Sequence, residues 1–379
     1  MSQDTKYNDP QSSLSSWVMG RVEQWEEHRN TNYLEKWDEY YRIWRGIWSP
    51  SDKTRGSENS RLISPATQQA VEATVSELEE AIFGREQWFD VRDNITDKDP
   101  QDITIIRLNL QEDLERAKVK NSICESLLNG AIYGTGIAKI NIKEETLKVP
   151  TESPIPDTLT TDTVIMEDEI VTVTVESITP KEFVIDPTAS SINEALGVAQ
   201  IVIKPKYEII EAIKEGIYED KPLGNYDHAD LGFDEENGSY ASEDDKVKIT
   251  EYWMGDRPFV SYQHDRVPNK FWGRGIAEKG YNPQKALDAE LRARIDALAL
   301  TTHPMMGVDA TRLPRGVKFE VKAGKTILTN GDPRQTLMPL NFGSLAQSTF
   351  TEAAELERMV QMGTGAMDSA TSNSANPRN

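Results

Sequence analysis

Cysteine is almost missing from this sequence: Cys124 stands alone among 379 residues. No disulfide can form within the chain, and a reducing compartment is the expected setting. Histidine is scarce too, with His28, His228, His264 and His303 scattered at spacings that match no metal-ligand pattern. No apolar run approaches the ~18 residues of a membrane span. The start MSQDTKYNDP has no apolar stretch of the signal-peptide kind, so the expectation is a soluble protein that works where it is made. Positive charge is in deficit, with a formal net charge of -21. Affinity for duplex DNA comes mainly from Lys and Arg neutralising phosphates, so a free duplex binder would show the opposite sign. If DNA is a partner, most of this surface does not grip it.

Catalytic wording is also lacking. Gly324-Lys325-Thr326 has the end of a phosphate-binding loop, but such a loop needs a glycine five residues earlier, where Phe319 stands. A helix should follow the threonine, and TILTNGDP reads as strand and turn instead. Gly273-Arg274-Gly275 is not completed into a dinucleotide fingerprint. The sequence has no HExxH, no nucleophile elbow and no zinc ligand set. Acidic residues are plentiful without any pair marked out for acid/base work. The expectation is a protein with no catalytic residue, no cofactor and no metal.

What is present is enough apolar material for a real core, 37% of residues, with a heavily solvated surface at 28% charged. The charge is uneven. From Arg266 to Leu340 there are thirteen basic residues against seven acidic ones. One basic module therefore sits on an acidic body.

Periodicity gives a mixed α+β chain. The first fifty residues read as helix, with Trp37, Tyr40, Tyr41, Trp44 and Trp48 at helical spacing. Such a stripe usually buries, which makes core packing the expectation and a subunit interface the alternative. Ser64-Pro65 caps a second helix with Val71, Val75, Leu78 and Ile82 on one face and Gly84 as its stop. A third starts at Asp99-Pro100, with Ile103, Ile106, Leu110 and Leu114 on its face, and the apolar cluster Ile123, Leu127, Leu128 leads on to Gly130. At Gly130–Ile142 the period changes, and strands are expected from Ile137, over Val164–Val175, Phe183–Asp186, Val198–Lys204, Lys246–Met254 and Pro258–Gln263. Tyr207–Gly216 reads as a short helix and Asp227–Asp245 as an acidic loop.

Asn282-Pro283 opens the most regular helix, running to about Thr301, a length of about 28 Å. Leu287, Leu291, Ile295 and Leu298 share one side, and Asp288/Arg292 and Glu290/Arg294 are i,i+4 pairs with the acid first. Short β pieces follow at Met305–Val308, Lys318–Val321, Thr326–Leu328 and Leu337–Leu340, separated by glycines and Asn330-Gly331. Another helix starts near Thr349, spaced from Glu352 as a capping box, and runs to Gly363. Helix, small β module, helix describes a lobe on two stalks.

The stretches YYRIWRGIW (40–48), ENSRLISPATQQAVEATVSELEEAIFGREQWFDV (58–91), NGAIYGTGIAKI (129–140) and VPNKFWGRGIAEKGYNPQKALDAELRARIDALALTTHPMMGVD (267–309) resemble the portal proteins of tailed bacteriophages, especially short-tailed ones. The resemblance implies a homo-oligomeric ring, a dodecamer in the virion, assembled in the host cytoplasm and placed at the capsid vertex. Double-stranded DNA would pass through its channel during packaging and ejection. Residues 1–280 would form the wing, 281–302 the first stem helix, 303–345 the clip, 346–365 the second stem helix and 366–379 a flexible tail. The family continues after Thr364-Gly365 into a tunnel loop and a crown, which this sequence does not carry, so channel-gating residues are not transferred.

Implied partners are the terminase large subunit and a head–tail adaptor at the clip, the major capsid protein, and no membrane. Arg312, Arg315, Lys318, Lys322, Lys325 and Arg334 are the candidates for docking a partner or DNA at the clip. Leu287, Leu291, Arg292, Arg294, Ile295 and Leu298 are the candidates for the subunit interface along the stem. Two other classes compete: a different head–tail or capsid-associated structural protein, and a packaging ATPase or nuclease. The broken phosphate loop speaks against the latter.

Overall fold

The computed structural model describes residues 10–48, 60–85, 88–91, 100–154, 161–220, 246–302, 305–308, 332, 337–340 and 348–365. The chain divides into two compact units, one of Met1–Tyr41 with Val71–Lys279, the other of Arg42–Ala70 with Gly280–Asn379. The class is α+β, as the periodicities predict: helices accompany two three-stranded antiparallel sheets and a two-stranded one.

The first unit opens with α1 (Pro10–Arg29), a π-helical turn at Asn30–Leu34, and α2 (Glu35–Arg45). Asn30-Thr31-Asn32 are weak helix formers, which suits a widened turn in an otherwise continuous helix. Val18, Val22 and Trp25, spaced to share a face of α1, pack on Val184, Ala199, Ile201 and Tyr252. Trp37 and Tyr40 are buried, and Trp37 meets Trp272 edge-on with ring centroids 4.8 Å apart. For these two rings the aromatic stripe is core. Trp48 lies beyond the helix end at Arg45.

Next come α3 (Ala66–Phe83), α4 (Pro100–Arg116) and α5 (Val119–Tyr133). On α3 the predicted face is buried at Val71 and Val75 and emerges at Ile82, which is 38% exposed. On α4 the predicted face is solvent-facing at Ile106 and Leu110. Helix α5 continues past Gly130 and ends at Gly134, whose positive φ of 98° closes the cap with an amide bond to the Gly130 carbonyl.

Strand β1 (Thr135–Pro154) pairs antiparallel with β2 (Thr161–Ile178) from Ile137 to Pro154. Its first residues, Thr135–Lys139, pair on the other side with β6 (Phe259–Gln263), giving the order β2-β1-β6. The second sheet, β3-β4-β5, is built from Phe183–Ile185, Val198–Pro205 and Lys246–Trp253. A short helix α6 (Lys206–Lys214) follows β4. Phe183, fully buried, packs edge-on against Phe259 at 5.2 Å and near Phe271 at 5.7 Å. Lys139 links the two sheets: its Nζ donates to Gln200 Oε1 (2.9 Å) and Glu251 Oε2 (2.7 Å) and lies 4.7 Å from the Trp253 ring centre.

Helix α7 (Ile276–Thr302) begins seven residues before the Pro283 that marks its start in the sequence reading. Proline inside a helix removes one donor and crowds the preceding turn. Ile276 and Ala277, both fully buried, hold the extra turns, so packing overrides the local signal. Strands β7 (Met305–Val308) and β8 (Leu337–Leu340) pair antiparallel, and α8 (Ser348–Thr364) ends the described chain at Gly365. Helix α8 starts at Ser348, which places Thr349 inside it. In the second unit Leu287 and Leu291 of α7 pack with Ala353, Leu356 and Val360 of α8 and with Ala66. Fully burying a leucine stabilises by about 2 kcal/mol, so Leu287, 2% exposed, contributes on that order to this seam. The acidic loop at Asp227–Asp245 and the β pieces at Lys318–Val321 and Thr326–Leu328 lie outside the described residues.

Candidate functional site

The stem-helix candidates lie on α7, and one face of that helix does more than apolar packing. Gln284, Asp288, Arg292 and Asp296 recur every fourth residue and therefore share a stripe. Together they bind the backbone of the segment from Ser60 to Thr67. Asp296 Oδ1 accepts the Ser60 amide at 2.7 Å, and Asp288 Oδ1 accepts the Ser64 amide at 2.8 Å. Arg292 Nε donates to the Leu62 carbonyl at 2.7 Å, and Gln284 Nε2 to the Ser64 carbonyl at 2.8 Å. Gln284 Oε1 accepts from the Thr67 amide (3.3 Å) and hydroxyl (3.1 Å). A segment that pairs with no strand among the described residues thus has three amides, those of Ser60, Ser64 and Thr67, and two carbonyls, those of Leu62 and Ser64, bonded to a helix.

Arg292 has two further contacts. Its guanidinium sits 4.3 Å from the Trp48 ring centre and 3.8 Å from Asp288 Oδ2. Asp288 and Arg292 are 5% and 8% exposed, so this i,i+4 pair belongs to a buried network. Of the six candidates on the stem, Leu287, Leu291 and Arg292 meet groups of their own chain. Arg294 pairs with Glu290 at 3.7 Å, while Ile295 and Leu298 are exposed at 39% and 53%. Sequence reasoning missed Gln284 and Asp296. Their signal is polar side chains repeating every fourth residue along one stripe of the helix, beside the stripe that carries Leu287 and Leu291.

All six clip candidates, Arg312, Arg315, Lys318, Lys322, Lys325 and Arg334, lie outside the described residues. The frame around them is described. Met305 pairs with Leu340 and Val308 with Leu337, so an antiparallel ladder closes the base of the intervening segment between α7 and α8.

In the first unit, Gly273-Arg274-Gly275 has a structural explanation. A side chain at Gly273 would strike the Gly134 carbonyl, and one at Gly275 would meet the Ala131 and Ile132 carbonyls at 2.7 Å. Thr135, fully buried, accepts the Gly273 amide at 2.8 Å. The glycines let two backbone segments touch, and the GRG triplet lies against the end of α5. Beside it, Asp265 pairs with Lys279 at 2.5 Å and Arg274 at 3.6 Å. Burial alone would raise the Asp265 carboxyl, but these cations and His264 hold it below the usual carboxylate range. His264 is shifted down from its ordinary value, chiefly by burial and also by Lys279, against the pull of Asp265.

A pocket of about 230 Å³ adjoins the π turn, lined by Trp25, His28, Tyr33, Asp186, Lys270 and Trp272 among others. Its charged neighbours hold loops in place. Arg29, 3% exposed, donates to the Lys181 and Phe183 carbonyls. Burial would raise the Asp186 carboxyl, yet the Thr188 amide and hydroxyl and the Leu196 amide hold it below its usual value. Among the described residues, no group of three His, Cys, Asp or Glu side chains is placed to hold a metal. No described helix is long and apolar enough to cross a membrane.

The model of the family described as phage SU10 portal protein matches residues 224–377. The matched stretch takes in β5, β6, α7, the β7–β8 pair and α8. It supports the chain as a tailed-phage portal protein, in agreement with the resemblance carried by its wording. Among curated proteins none matches the chain.

Proposed function

We propose that this chain is one subunit of the ring at a phage capsid vertex through which double-stranded DNA is packaged and later ejected. The family match over residues 224–377 carries the reading. The succession of α7, the β7–β8 ladder and α8 within that match supports a lobe on two helical stalks. In this reading α7 and α8 are the stem, and residues 303–345 are the clip that meets the terminase large subunit and then the head–tail adaptor. The ring is a dodecamer in the virion, held against the major capsid protein, and the chain performs no chemistry of its own.

The charge distribution fits a conduit. A net charge of -21 weakens attraction to phosphates and favours sliding, while the basic stretch from Arg266 to Leu340 serves docking. Along the stem, Ile295 and Leu298, exposed at 39% and 53%, are the candidates to meet a neighbouring subunit. Ring closure then needs two different patches that meet head to tail.

Averaged top views of the purified full chain by single-particle electron microscopy test the reading. Closed rings with a central hole wide enough for duplex DNA are expected. A monodisperse monomer at micromolar concentration and low salt would overturn it.

A further inference from the structure

The β1–β2 hairpin extends well beyond the sheet that roots it. Strand β6 pairs with β1 only over Thr135–Lys139, whereas β1 and β2 stay in register as far as Pro154↔Thr161. The excess, residues 140–154 of β1, spans about 50 Å at the usual rise of a strand. Among the described residues no strand pairs with this excess on either open edge. A two-stranded ribbon alone is marginal in water, so an arm of this length calls for a surface to lie on.

Two features say what that surface is like. At the root of the arm, Ile140 and Ile142 share a face by strand alternation and are exposed at 38% and 67%. Val173, opposite Ile142 in the register, is exposed at 43%, and Val260, opposite Ala138, at 57%. Farther out the sequence turns acidic: residues 143–171 hold eight Asp and Glu against two Lys. Like charges at this density keep identical arms apart and discourage edge-to-edge pairing, and Pro150 removes a donor from β1. The arm therefore suits a basic surface carrying some apolar area, and it does not suit another arm.

The same unit offers exposed basic residues of that kind. Arg266–Arg274, reading RVPNKFWGR, holds three basic residues and no acidic one within an acidic chain. Arg266, Lys270 and Arg274 are all exposed; Arg274 is paired with Asp265, so Arg266 and Lys270 carry the positive charge offered to a partner. We propose that the β1–β2 arm of one subunit seats on the Arg266–Arg274 segment of a second copy of this chain. Acidic arm and basic segment are unlike patches of one chain, which is what a head-to-tail contact requires. The proposal rests on the ring reading above and adds to it which elements meet.

Charge exchange in the full chain tests it. Asp168→Lys with Glu169→Lys reverses the arm, and Arg266→Glu with Lys270→Glu reverses the segment. Sedimentation velocity across a concentration series reads assembly, and thermal melting of the dissociated subunit checks its fold. Each reversal alone is expected to raise the half-assembly concentration about tenfold or more, with the loss shrinking in high salt. The chain carrying all four substitutions is expected to recover most of the wild-type assembly. Rings that tolerate either single reversal, or a combined variant no better than the singles, would overturn the proposal and leave the ring reading standing. A wild type that forms no rings would overturn both. If Lys270→Glu disturbs the pocket it lines, Arg266→Glu against Glu169→Lys gives the same comparison.

Discussion

At the scale of single residues, Gly134 is held by two independent constraints. Its φ of 98° lies where L side chains are strained, and a β-carbon there would strike the Gly273 carbonyl. Gly134→Ala is expected to cost about 3 kcal/mol or more, since strain and overpacking add. Urea denaturation reads the loss as a lowered midpoint with unchanged slope. His264 gives a pH dependence. Its Nδ1 lies 3.0 Å from Tyr262 Oη, and burial, assisted by Lys279, lowers its folded-state value below that of an unfolded imidazole at about 6.5. As pH falls below that value the unfolded chain takes up the proton first, so native stability is full above it and declines through the folded-state value. Melting temperature should therefore drop between pH 8 and pH 5.5, and His264→Gln should remove part of that drop. An equal drop in the variant would show that other groups cause it.

At the scale of elements, the polar stripe of α7 supports the Ser60–Thr67 segment, which pairs with no strand among the described residues. Asp288 is its centre, accepting from the Ser64 amide and Gln284 and pairing with Arg292. Asp288→Ala would leave the Ser64 amide without its acceptor and the buried Arg292 guanidinium without its nearby counter-charge, and a loss of about 3 kcal/mol is expected. Hydrogen exchange should show the amide of Ser64 losing protection more than those in β4. Much of this level was legible in the sequence. The strand from Ile137, the strands around residues 183 and 198, the helix over 207–216 and the pair at 246–263 all follow from period and turn chemistry. Helix α7 begins ahead of Asn282-Pro283, a strong local start signal, because only the tertiary burial of Ile276 and Ala277 extends it backwards. The π turn at Asn30–Leu34 and the length of the β1–β2 arm had no comparable signal, since a strand's end depends on what pairs with it.

At the scale of the whole molecule, the exposed apolar residues separate assembly from folding. Ile295 and Leu298 project from a helix whose buried side is already filled by Leu287 and Leu291. Ile295→Ser with Leu298→Ser should leave the subunit's own stability within about 0.5 kcal/mol per site, as surface substitutions usually do. If these residues meet a neighbour along the stem, the same pair should weaken ring assembly in sedimentation. A variant that lost monomer stability and kept its rings would assign them to the chain's own packing.

The sequence by itself determined the class of the chain, its acidic body with one basic module, the positions of most helices and strands, and the resemblance to portal proteins. These follow from composition and short-range periodicity, which local physics reads directly. The tertiary structure decided which long-range partners those elements take. Residues 42–70 fold with the segment after Gly280, across more than two hundred residues, because the Gln284–Asp296 stripe fits the backbone of Ser60–Thr67. The GRG triplet became a packing device because the end of α5 comes within contact of it. Periodicity shows which face a helix buries, but the groups that meet that face come from elsewhere in the chain, and only folding brings them there.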